Sequence, residues 1–451
     1  MMPGLRSKNF VLLVLSLIFY AWGEPVWVIL LILVAAANYL NGLFLHRYRG
    51  AWQAKASLAV TIVFNLGLLG SFKYLSFLLE TLGFLISTPL PAVQIALPIG
   101  ISFYVFQALS YSLDLYHEKT EVQTSFLNFL LFVSLFPQLI AGPILRYSDI
   151  AQQLSKRKST WSGISYGLSR FLCGLGKKVL IANYAGQTAS FLLNGQLQNL
   201  NLVSAWLGLL MFAFQIYFDF SGYSDMAIGL GRIFGFSYGE NFRFPYTAKS
   251  ITEFWRTWHI SLGTFFRDYL YIPLGGNRRF QFRNILIVWF LTGLWHGASW
   301  NFVLWGLYFG LILILEKYFL LTVLAKIPRF FSWCYAFFLI LIGWVFFYFT
   351  DIALAGAMFK ALFALNGAPV IDFEISTVLL NNAPLLLICA VACTPLPQKI
   401  SHLFVRISAL NAYPETGFSG FSMIVYNLAM LGLSTIALVG ASYNPFLYFR
   451  F

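Results

Sequence analysis

The sequence predicts an all-α, polytopic integral membrane protein, and three observations support this fold class. Of the 451 residues, 59% are hydrophobic and only 10% are charged, and the mean hydropathy is +0.75. A soluble domain is about 45–50% apolar and about 25% charged, so this chain lacks the charge that a water-facing surface needs. Apolar runs of roughly 20 residues, long enough for a helix to cross the hydrocarbon, recur throughout. The composition excludes an ordinary cytosolic enzyme, a disordered chain and a fibrous protein.

The apolar runs predict about ten to twelve membrane helices. Strands are excluded, because an isolated strand leaves its backbone unsatisfied in lipid and the ten-residue alternation of a membrane barrel is absent. No polar stretch is long enough for a soluble domain, so we expect one membrane-embedded domain over 1–451. The candidate spans are 9–23, 26–45, 57–79, 95–116, 126–145, 161–184, 202–221, 284–315, 330–350, 376–393 and 420–441.

Basic residues predict the orientation of the chain. The net charge is +13, and Lys and Arg favour the cytoplasmic side of a membrane. Arg6 and Lys8 precede the first span, and the HRYR stretch at 46–49 follows the second, so both clusters are assigned to the cytoplasm. The basic residues are spread along the chain, which does not favour nucleic-acid binding. We therefore expect a multi-pass protein of the inner (plasma) membrane that contacts anionic lipid.

The segment 126–145 is predicted to form a re-entrant hairpin. Lys119 before it and the KRK stretch at 156–158 after it both favour the cytoplasm, so the segment must enter and leave on one side. Pro137 and Pro143 break a helix there. Because non-helical backbone at membrane depth needs protein or a water-filled cavity around it, the break also indicates a cavity.

The region 215–301 is polar for a membrane protein and holds two histidines of interest. Ionisable groups beside spans usually pair with each other or line a wet pathway. His296 is the one ionisable residue in the 32-residue run 284–315, and the neighbouring Gly293 and Gly297 favour a break beside it. A helix over 284–296 rises about 18 Å, which places the imidazole near the bilayer midplane. Packing against a backbone carbonyl is the alternative for this histidine.

The second histidine lies on a predicted amphipathic helix over 252–269. Aromatic and apolar residues recur there at steps of three and four, with Trp255 and His259 on the same face. Thr252 is expected to cap this helix. An interfacial helix with His259 as a packing residue is the structural alternative to a functional role.

The expected chemistry of His296 follows from desolvation. Burial disfavours the imidazolium ion, so we expect a neutral ring that either takes a proton from a hydroxyl or captures an acyl group directly. No Gly-x-Ser-x-Gly elbow of a hydrolase is present. The four cysteines, Cys173, Cys334, Cys389 and Cys393, lie in apolar runs and give no metal spacing. We expect no metal site and no permanently bound cofactor.

Several stretches together resemble the membrane-bound O-acyltransferase family, most closely its bacterial polysaccharide-acetylating branch. They cover much of 98–310 and the C-terminal tail. The stretches are FPQLIAGPI (136–144), DFSGYSDMA (219–227), NFRFPY (241–246), FWRTWHIS (254–261), FRDYLYIPLGGNR (266–278), GLWHGASW (293–300) and YNPFLYF (443–449).

This resemblance implies a helical ring around a central pore and a membrane acyltransferase. His296 would be the reactive histidine and His259 the second motif histidine. An acetyl group would pass from a cytoplasmic thioester, such as acetyl-CoA, to an extracytoplasmic acceptor for polysaccharide O-acetylation, with alginate as the expected polymer. An SGNH-type acetyltransferase is the expected partner. The residues predicted to line the pore or contact substrate are Asp219, Ser221, Arg256, Trp258, Trp295 and Asn301.

Two other functions fit the same sequence features. A transporter of acyl groups or small solutes would use the same polar centre, although no internal symmetry of the kind common in transporters is evident. A scaffold of a polysaccharide export complex would use the histidines for packing. The sequence leaves open the acceptor, the oligomeric state, the number of full crossings, and the choice between an acyl-histidine and general-base catalysis.

Overall fold

A computed structural model describes residues 4–91, 93, 95–140, 142–195, 197–400, 418–441 and 443–445. Within these ranges the chain forms helices joined by loops, and no strand is present there. The predicted all-α fold class is confirmed. Ala141 of the FPQLIAGPI stretch and residues 446–449 of the C-terminal stretch lie outside the described residues.

In chain order, the helices of these ranges are α1 (Leu5–Gly23), α2 (Trp27–Arg47), α3 (Trp52–Leu69), α4 (Leu75–Leu85), α5 (Ile101–Tyr116), α6 (Phe126–Ser134), α7 (Phe136–Leu139), α8 (Tyr147–Ser155), α9 (Trp161–Gly176), α10 (Asn183–Leu193), α11 (Leu202–Ile233), α12 (Ile251–Thr257), α13 (Ile260–Phe266), α14 (Gln281–His296), α15 (Trp300–Leu315), α16 (Leu321–Leu324), α17 (Arg329–Tyr348), α18 (Ile352–Leu362), α19 (Phe373–Ala392) and α20 (Phe418–Val439). π-helical turns join or extend several of them, at Gly70–Tyr74, Lys177–Ala182, Arg267–Tyr271 and Glu316–Leu320.

Eight helices of the described ranges are long and apolar enough to cross a membrane. They are Leu5–Gly23, Trp27–Arg47, Trp52–Leu85, Leu202–Ile233, Trp300–Leu324, Arg329–Tyr348, Phe373–Ala392 and Phe421–Val439. Other predicted spans form shorter helices: α5 and α14 have 16 residues each, and α6 has 9. The number of helices is thus consistent with a multi-pass architecture in which some segments are short or broken.

The break predicted within 126–145 is present. α6 ends at Ser134, Leu135 leaves the helix, and the four-residue α7 starts at Phe136 with Pro137 in its first turn. Helix α6 is buried along most of its length, with Phe129 and Phe132 fully enclosed. Surrounding protein is the condition under which non-helical backbone is tolerated at membrane depth. That the segment enters and leaves from one side stays a prediction.

Residue contacts divide the chain into two compact units. The first comprises 1–167 and 227–239, and the second comprises 168–226 and 240–451. The expectation of one membrane-embedded domain over 1–451 stays a prediction.

Buried amide side chains link the helices of the first unit. Asn38 of α2 and Asn65 of α3 exchange two hydrogen bonds of 3.1 Å, and both side chains are fully buried. Asn9 of α1 donates to Asn128 of α6 at 3.0 Å and to the Leu154 carbonyl oxygen at 2.9 Å. Hydrogen-bonded amides of this kind stabilise contacts between membrane helices.

A close crossing with buried charges links α9 and α11 in the second unit. A Cβ atom at Gly174 would lie 2.4 Å from the Gly222 carbonyl oxygen, so the two backbones are nearly in contact. Beside this crossing, the Asp225 carboxylate is 2.6 Å from the Arg170 guanidinium and 2.7 Å from the Lys177 ammonium. Buried charges need such partners, and the DFSGYSD stretch supplies both the glycine and the carboxylate.

Helices α14 and α15 form a tight antiparallel hairpin. A Cβ atom at Gly293 would lie 2.3 Å from the Phe302 carbonyl oxygen, and one at Gly306 would lie 2.2 Å from the Trp289 carbonyl oxygen. Gly306 and Gly310 form a small-xxx-small pair, which lets membrane helices approach closely. The hairpin fixes the position of the last turn of α14, which carries His296.

Gly306→Ala is expected to destabilise the protein, because the added methyl group must displace the backbone of α14. Overpacking of this kind costs about 1–3 kcal/mol and should lower the melting temperature in detergent. Gly356→Ala in α18 is the matched control, since nothing lies within 4 Å of a Cβ atom at that position and alanine favours a helix over glycine. A melting temperature of Gly306→Ala equal to that of the wild type would contradict the close approach.

Candidate active site

Helix α12 is anchored by a buried carboxylate at its N-terminus. Glu316, which is fully buried, accepts hydrogen bonds from the Ile251 and Thr252 amides at 2.6 and 2.7 Å and from the Thr252 hydroxyl at 2.6 Å. Ser250 is the N-cap residue, because its hydroxyl accepts from the Glu253 amide at 3.0 Å. The expectation that Thr252 caps the helix is therefore wrong, although its side chain takes part in the anchoring.

A break separates α12 from α13 at Trp258 and His259. His259 adopts a left-handed conformation with φ 45° and ψ 53°, which is uncommon for a residue other than glycine. The backbone there is paired: the Arg243 amide donates to the Thr257 carbonyl at 2.9 Å, and the Ile260 amide donates to the Asn241 carbonyl at 3.0 Å. The single continuous helix predicted from aromatic spacing is wrong, because pairing with a distant segment replaces helical hydrogen bonds at this point.

The His259 imidazole is buried and held by polar and aromatic neighbours. It is 2% exposed, and its Nδ1 lies 3.2 Å from Asn241 Oδ1. The ring packs edge-to-face on Phe220 at a centroid distance of 4.6 Å and lies 6.0 Å from the Trp295 ring. His259 lies outside the eight apolar helices, and burial lowers its pKa to about 3. The ring is thus neutral at physiological pH.

His296 ends α14, and the backbone leaves the helix immediately after it. Gly297 is extended, with φ −169° and ψ 151°, and α15 begins at Trp300, so the predicted break is present. Three aromatic rings surround the imidazole, with Trp295 and Trp305 at 5.0 Å and Phe347 at 5.3 Å between centroids. The side chain is 7% exposed, and its remaining surface faces a cavity.

One cavity of about 600 Å³ is lined by both histidines. Trp258 and Arg256, two of the residues predicted to line a pore or contact substrate, also line it. Arg267 and Lys317, each in a π-helical turn, contribute two further cations to the lining. π-helical turns are frequent at functional sites. The arrangement places two imidazoles and three cationic side chains around a space large enough for a small-molecule ligand.

Asp219 and Ser221 lie on α11 and are not among the residues lining this cavity. The Asp219 carboxylate is 2.8 Å from the Lys178 ammonium, and both groups are largely buried. Ser221 is 2% exposed. The structure therefore places Asp219 in an ion pair between helices, and a contact of either residue with substrate stays a prediction.

Neither Trp295 nor Asn301 is among the residues that line this cavity. Trp295 packs against both imidazole rings, at the distances given above. The Asn301 amide donates to the Phe346 carbonyl oxygen at 2.9 Å and accepts from the Ser299 hydroxyl. Asn301 thus ties the start of α15 to α17, next to the break that follows His296.

Among the described residues, no group of three or more His, Cys, Asp or Glu side chains is arranged to hold a metal ion. The polar groups that line the cavity are imidazoles, cations, indoles, hydroxyls and the amide side chain of Asn277. The imidazoles can move a proton and the cations can bind an anion. The expectation of no metal site stays a prediction.

Comparison with known proteins identifies the family. The model of the membrane-bound O-acyltransferase family matches residues 16–359. This chain belongs to the membrane-bound O-acyltransferase family. The probable alginate O-acetylase AlgI of Azotobacter vinelandii is 38% identical over 99% of this chain and 95% of its own length. The Pseudomonas aeruginosa protein of the same name is 36% identical over 100% and 96%. The Helicobacter pylori peptidoglycan O-acetyltransferase is 34% identical over 79% and 74%.

The resemblance drawn from the sequence stretches is therefore confirmed, and the protein is a multi-pass membrane O-acyltransferase. The family match covers residues 16–359 but assigns no role to any single residue. The catalytic roles of His296 and His259 therefore stay predictions. What the structure adds is that the two histidines, which are distant in sequence and lie on different elements, line one cavity.

Three residues that organise or line the site of this O-acyltransferase were not singled out from the sequence. Glu316 follows the long apolar run 284–315 directly, and an acidic residue at that position is a signal for a buried partner. Asn241 opens the NFRFPY stretch, but its contact with His259 depends on a loop whose path periodicity does not predict. Lys317 joins the cavity because the π-helical turn at Glu316–Leu320 continues α15.

Glu316→Gln is expected to destabilise the protein, because the carboxylate accepts three hydrogen bonds and an amide offers one oxygen. A hydrogen bond to a charged group is worth about 1.5–3 kcal/mol, so the melting temperature should fall and activity should fall with it. Glu374→Gln is the matched control, since Glu374 is exposed in the first turn of α19 and surface changes stay within about 0.5 kcal/mol. Equal melting temperatures for the two variants would contradict the anchoring role.

The lowered pKa of His259 predicts a pH dependence of stability. The ring takes up a proton more readily in the unfolded chain, where its pKa is about 6.5, than in the folded protein. The stability linked to its burial is therefore complete above pH 6.5 and is lost as the pH falls toward 3. Between pH 7 and 5, the melting temperature of the wild type should fall more steeply than that of His259→Gln. Parallel curves for the two proteins would contradict a buried, neutral His259.

Proposed function

We propose that this O-acyltransferase moves an acetyl group from a cytoplasmic thioester to an extracytoplasmic acceptor, for O-acetylation of an alginate-type polysaccharide. Relatives named as alginate O-acetylases match essentially the whole chain, which supports this choice of polymer. The observation that carries the proposal is the shared cavity, in which His259 and His296 line one space together with Arg256, Arg267 and Lys317.

Acetyl-CoA is the proposed donor. A cavity of about 600 Å³ lies within the usual range for small-molecule sites, about 300–1,000 Å³, and an acetyl group fills only a small part of it. The rest suits the pantetheine arm of coenzyme A. Arg256, Arg267 and Lys317 are exposed side chains of the lining, and they would meet the phosphates near the opening. The basic residues at 156–158 and 278–279 do not line this cavity.

His296 is the proposed base or nucleophile. As a base, its ring takes the proton from the acceptor hydroxyl while the hydroxyl oxygen bonds to the acetyl carbonyl carbon. The carbon–sulfur bond of the thioester then breaks, and the leaving thiolate takes up the proton. As a nucleophile, a ring nitrogen of His296 bonds to the acetyl carbonyl carbon while the carbon–sulfur bond breaks and the thiolate leaves. The acceptor hydroxyl oxygen then displaces the imidazole from the acetyl group, and the hydroxyl proton passes to the thiolate. Both routes need a neutral imidazole that substrate can reach, which is consistent with a histidine at a cavity surface.

The acceptor side of the reaction is proposed to involve a second protein. Acetyl thioesters are made in the cytosol, whereas surface polysaccharides lie outside, so the acyl group has to cross the inner membrane. An SGNH-type acetyltransferase on the outer face would complete the transfer to the polymer. The basic clusters at Arg6, Lys8 and 46–49 support an inner-membrane orientation with the donor side in the cytoplasm.

His296→Ala is expected to abolish acetyl transfer while leaving the protein folded. Loss of a general base lowers a rate by about 10²–10⁴-fold, and loss of a nucleophile lowers it at least as much. The measurement is transfer of radiolabelled acetyl from acetyl-CoA to an external acceptor, using proteoliposomes with and without an SGNH-type partner.

His117→Ala is the matched control, because His117 is an exposed histidine at the end of α5. Full transfer by a folded His296→Ala protein would contradict the enzymatic proposal. Label that accumulates inside the vesicles as intact thioester would indicate the transporter alternative. A folded, inactive His296→Ala protein would exclude a pure scaffold.

A further inference from the structure

Asn241 is the centre of a buried hydrogen-bond cluster behind His259. Its side chain is 1% exposed and is not part of the cavity lining. Ser224 of α11 and Ser261 of α13 are its other partners. The cluster therefore joins three of the sequence stretches that the family resemblance rests on, DFSGYSD, NFRFPY and FWRTWHIS, at one side chain.

Obligate donors fix the orientation of the Asn241 amide. The Ser261 backbone N–H points at Asn241 Oδ1 from 3.1 Å, and a backbone amide can only donate. The Ser261 hydroxyl donates to the same oxygen at 2.9 Å. On the other side, Asn241 Nδ2 donates to the Ser224 hydroxyl at 3.2 Å. A flipped amide would bring two N–H groups face to face at Ser261, so the oxygen is the atom that faces His259.

This orientation determines which nitrogen of His259 carries the proton. Asn241 Oδ1 lies 3.2 Å from His259 Nδ1, and an amide oxygen has no proton to donate. The Ser261 hydroxyl lies 3.5 Å from Nδ1, but it donates to Asn241 Oδ1 at the shorter distance of 2.9 Å. Nδ1 is therefore the donor toward Asn241. In a neutral imidazole the other nitrogen, Nε2, then carries the lone pair and is a hydrogen-bond acceptor.

The backbone reinforces the same contact. The Asn241 carbonyl oxygen accepts from the Ile260 amide at 3.0 Å, so both the main chain and the side chain of Asn241 hold the residues around His259. The left-handed conformation of His259 is strained in a residue other than glycine unless its surroundings support it. The paired segment at 241–243 supports it and fixes the direction of the ring.

We propose that Asn241 is a positioning residue that holds His259 in the Nδ1–H tautomer, so that Nε2 is presented as a hydrogen-bond acceptor within the acyl-transfer site. The proposal rests on the proposed function only in assigning His259 to the reaction. An acceptor at this position orients or deprotonates a hydroxyl group, which is the group that an O-acyltransferase acylates. Burial, which keeps this ring neutral, makes the choice of tautomer decisive.

The tautomer is measured directly by magic-angle-spinning NMR of [15N]histidine-labelled protein in proteoliposomes. The resonances of His259 are assigned by their absence in a His259→Gln sample. In the wild type, Nδ1 is expected to appear as a protonated nitrogen and Nε2 as an unprotonated one. This readout needs no substrate, so it remains informative if the proposed donor or acceptor is wrong. Protonated Nε2 in the wild type would overturn the proposal.

Two substitutions of Asn241 separate positioning from simple packing. Asn241→Leu removes the acceptor and should give a mixture of tautomers. We expect kcat to fall about 10- to 100-fold, by analogy with the loss of groups that orient metal-bound histidines, and KM to change less. Asn241→Asp keeps an oxygen acceptor at the same place and should preserve the tautomer and most of the activity. Equal losses in both variants, with the His259 spectrum unchanged in Asn241→Leu, would overturn the proposal.

Asn65→Leu is the matched control. It also removes a fully buried amide, but one that pairs with Asn38 far from the histidines in the chain. Its melting temperature should fall, whereas its His259 spectrum and its kcat per folded protein should match the wild type. If Asn241→Leu does not fold, the wild-type spectrum and the Asn241→Asp variant still test the tautomer.

Discussion

Backbone that leaves a helix inside a lipid-embedded chain must be hydrogen-bonded by protein groups, and the structure depends on how this chain meets that constraint. The two helix breaks that shape the site lie at His259 and directly after His296. At His259, the Asn241 main-chain carbonyl accepts a hydrogen bond from the Ile260 amide, and the Asn241 side chain contacts the imidazole ring. At the start of α12, the Glu316 carboxylate accepts hydrogen bonds from the Ile251 and Thr252 backbone amides. After His296, Asn301 ties the new helix to α17. Each break leaves a histidine in place at a cavity rather than along a helix face.

Charge in this chain serves two separate purposes. On α9 to α11, acidic and basic groups neutralise each other between helices: Asp225 with Arg170 and Lys177, and Asp219 with Lys178. Such pairs avoid the cost of an isolated buried charge. Around the cavity, cationic side chains are exposed and outnumber carboxylates in the lining. The first group stabilises helix contacts. In the second group, Arg267 also pairs with Asp268 at 2.7 Å, and Arg256 and Lys317 extend the positive lining of the cavity.

The sequence predicted the fold class, the break beside His296 and the break within 126–145, because composition, glycine and proline act locally. It did not predict the break at His259. Aromatic spacing there is compatible with a continuous helix, and only pairing with a segment some 18 residues earlier shows otherwise. For the same reason the ion pair of Asp219 with Lys178 could not be predicted, because Lys178 lies on another helix. The periodicity of apolar residues does not show which residues far apart in the sequence form hydrogen bonds or ion pairs.

If the cavity shared by His259 and His296 admits a thioester, it should bind a non-hydrolysable acetyl-CoA analogue in which a methylene group replaces the reactive sulfur. The decisive measurement is a density map of the protein in nanodiscs with this analogue bound. We expect the acetyl carbonyl to lie between the two imidazoles and the phosphates to lie near Arg256, Arg267 and Lys317. Density for the analogue elsewhere, or His296 sealed by packed side chains while the analogue is bound, would contradict it.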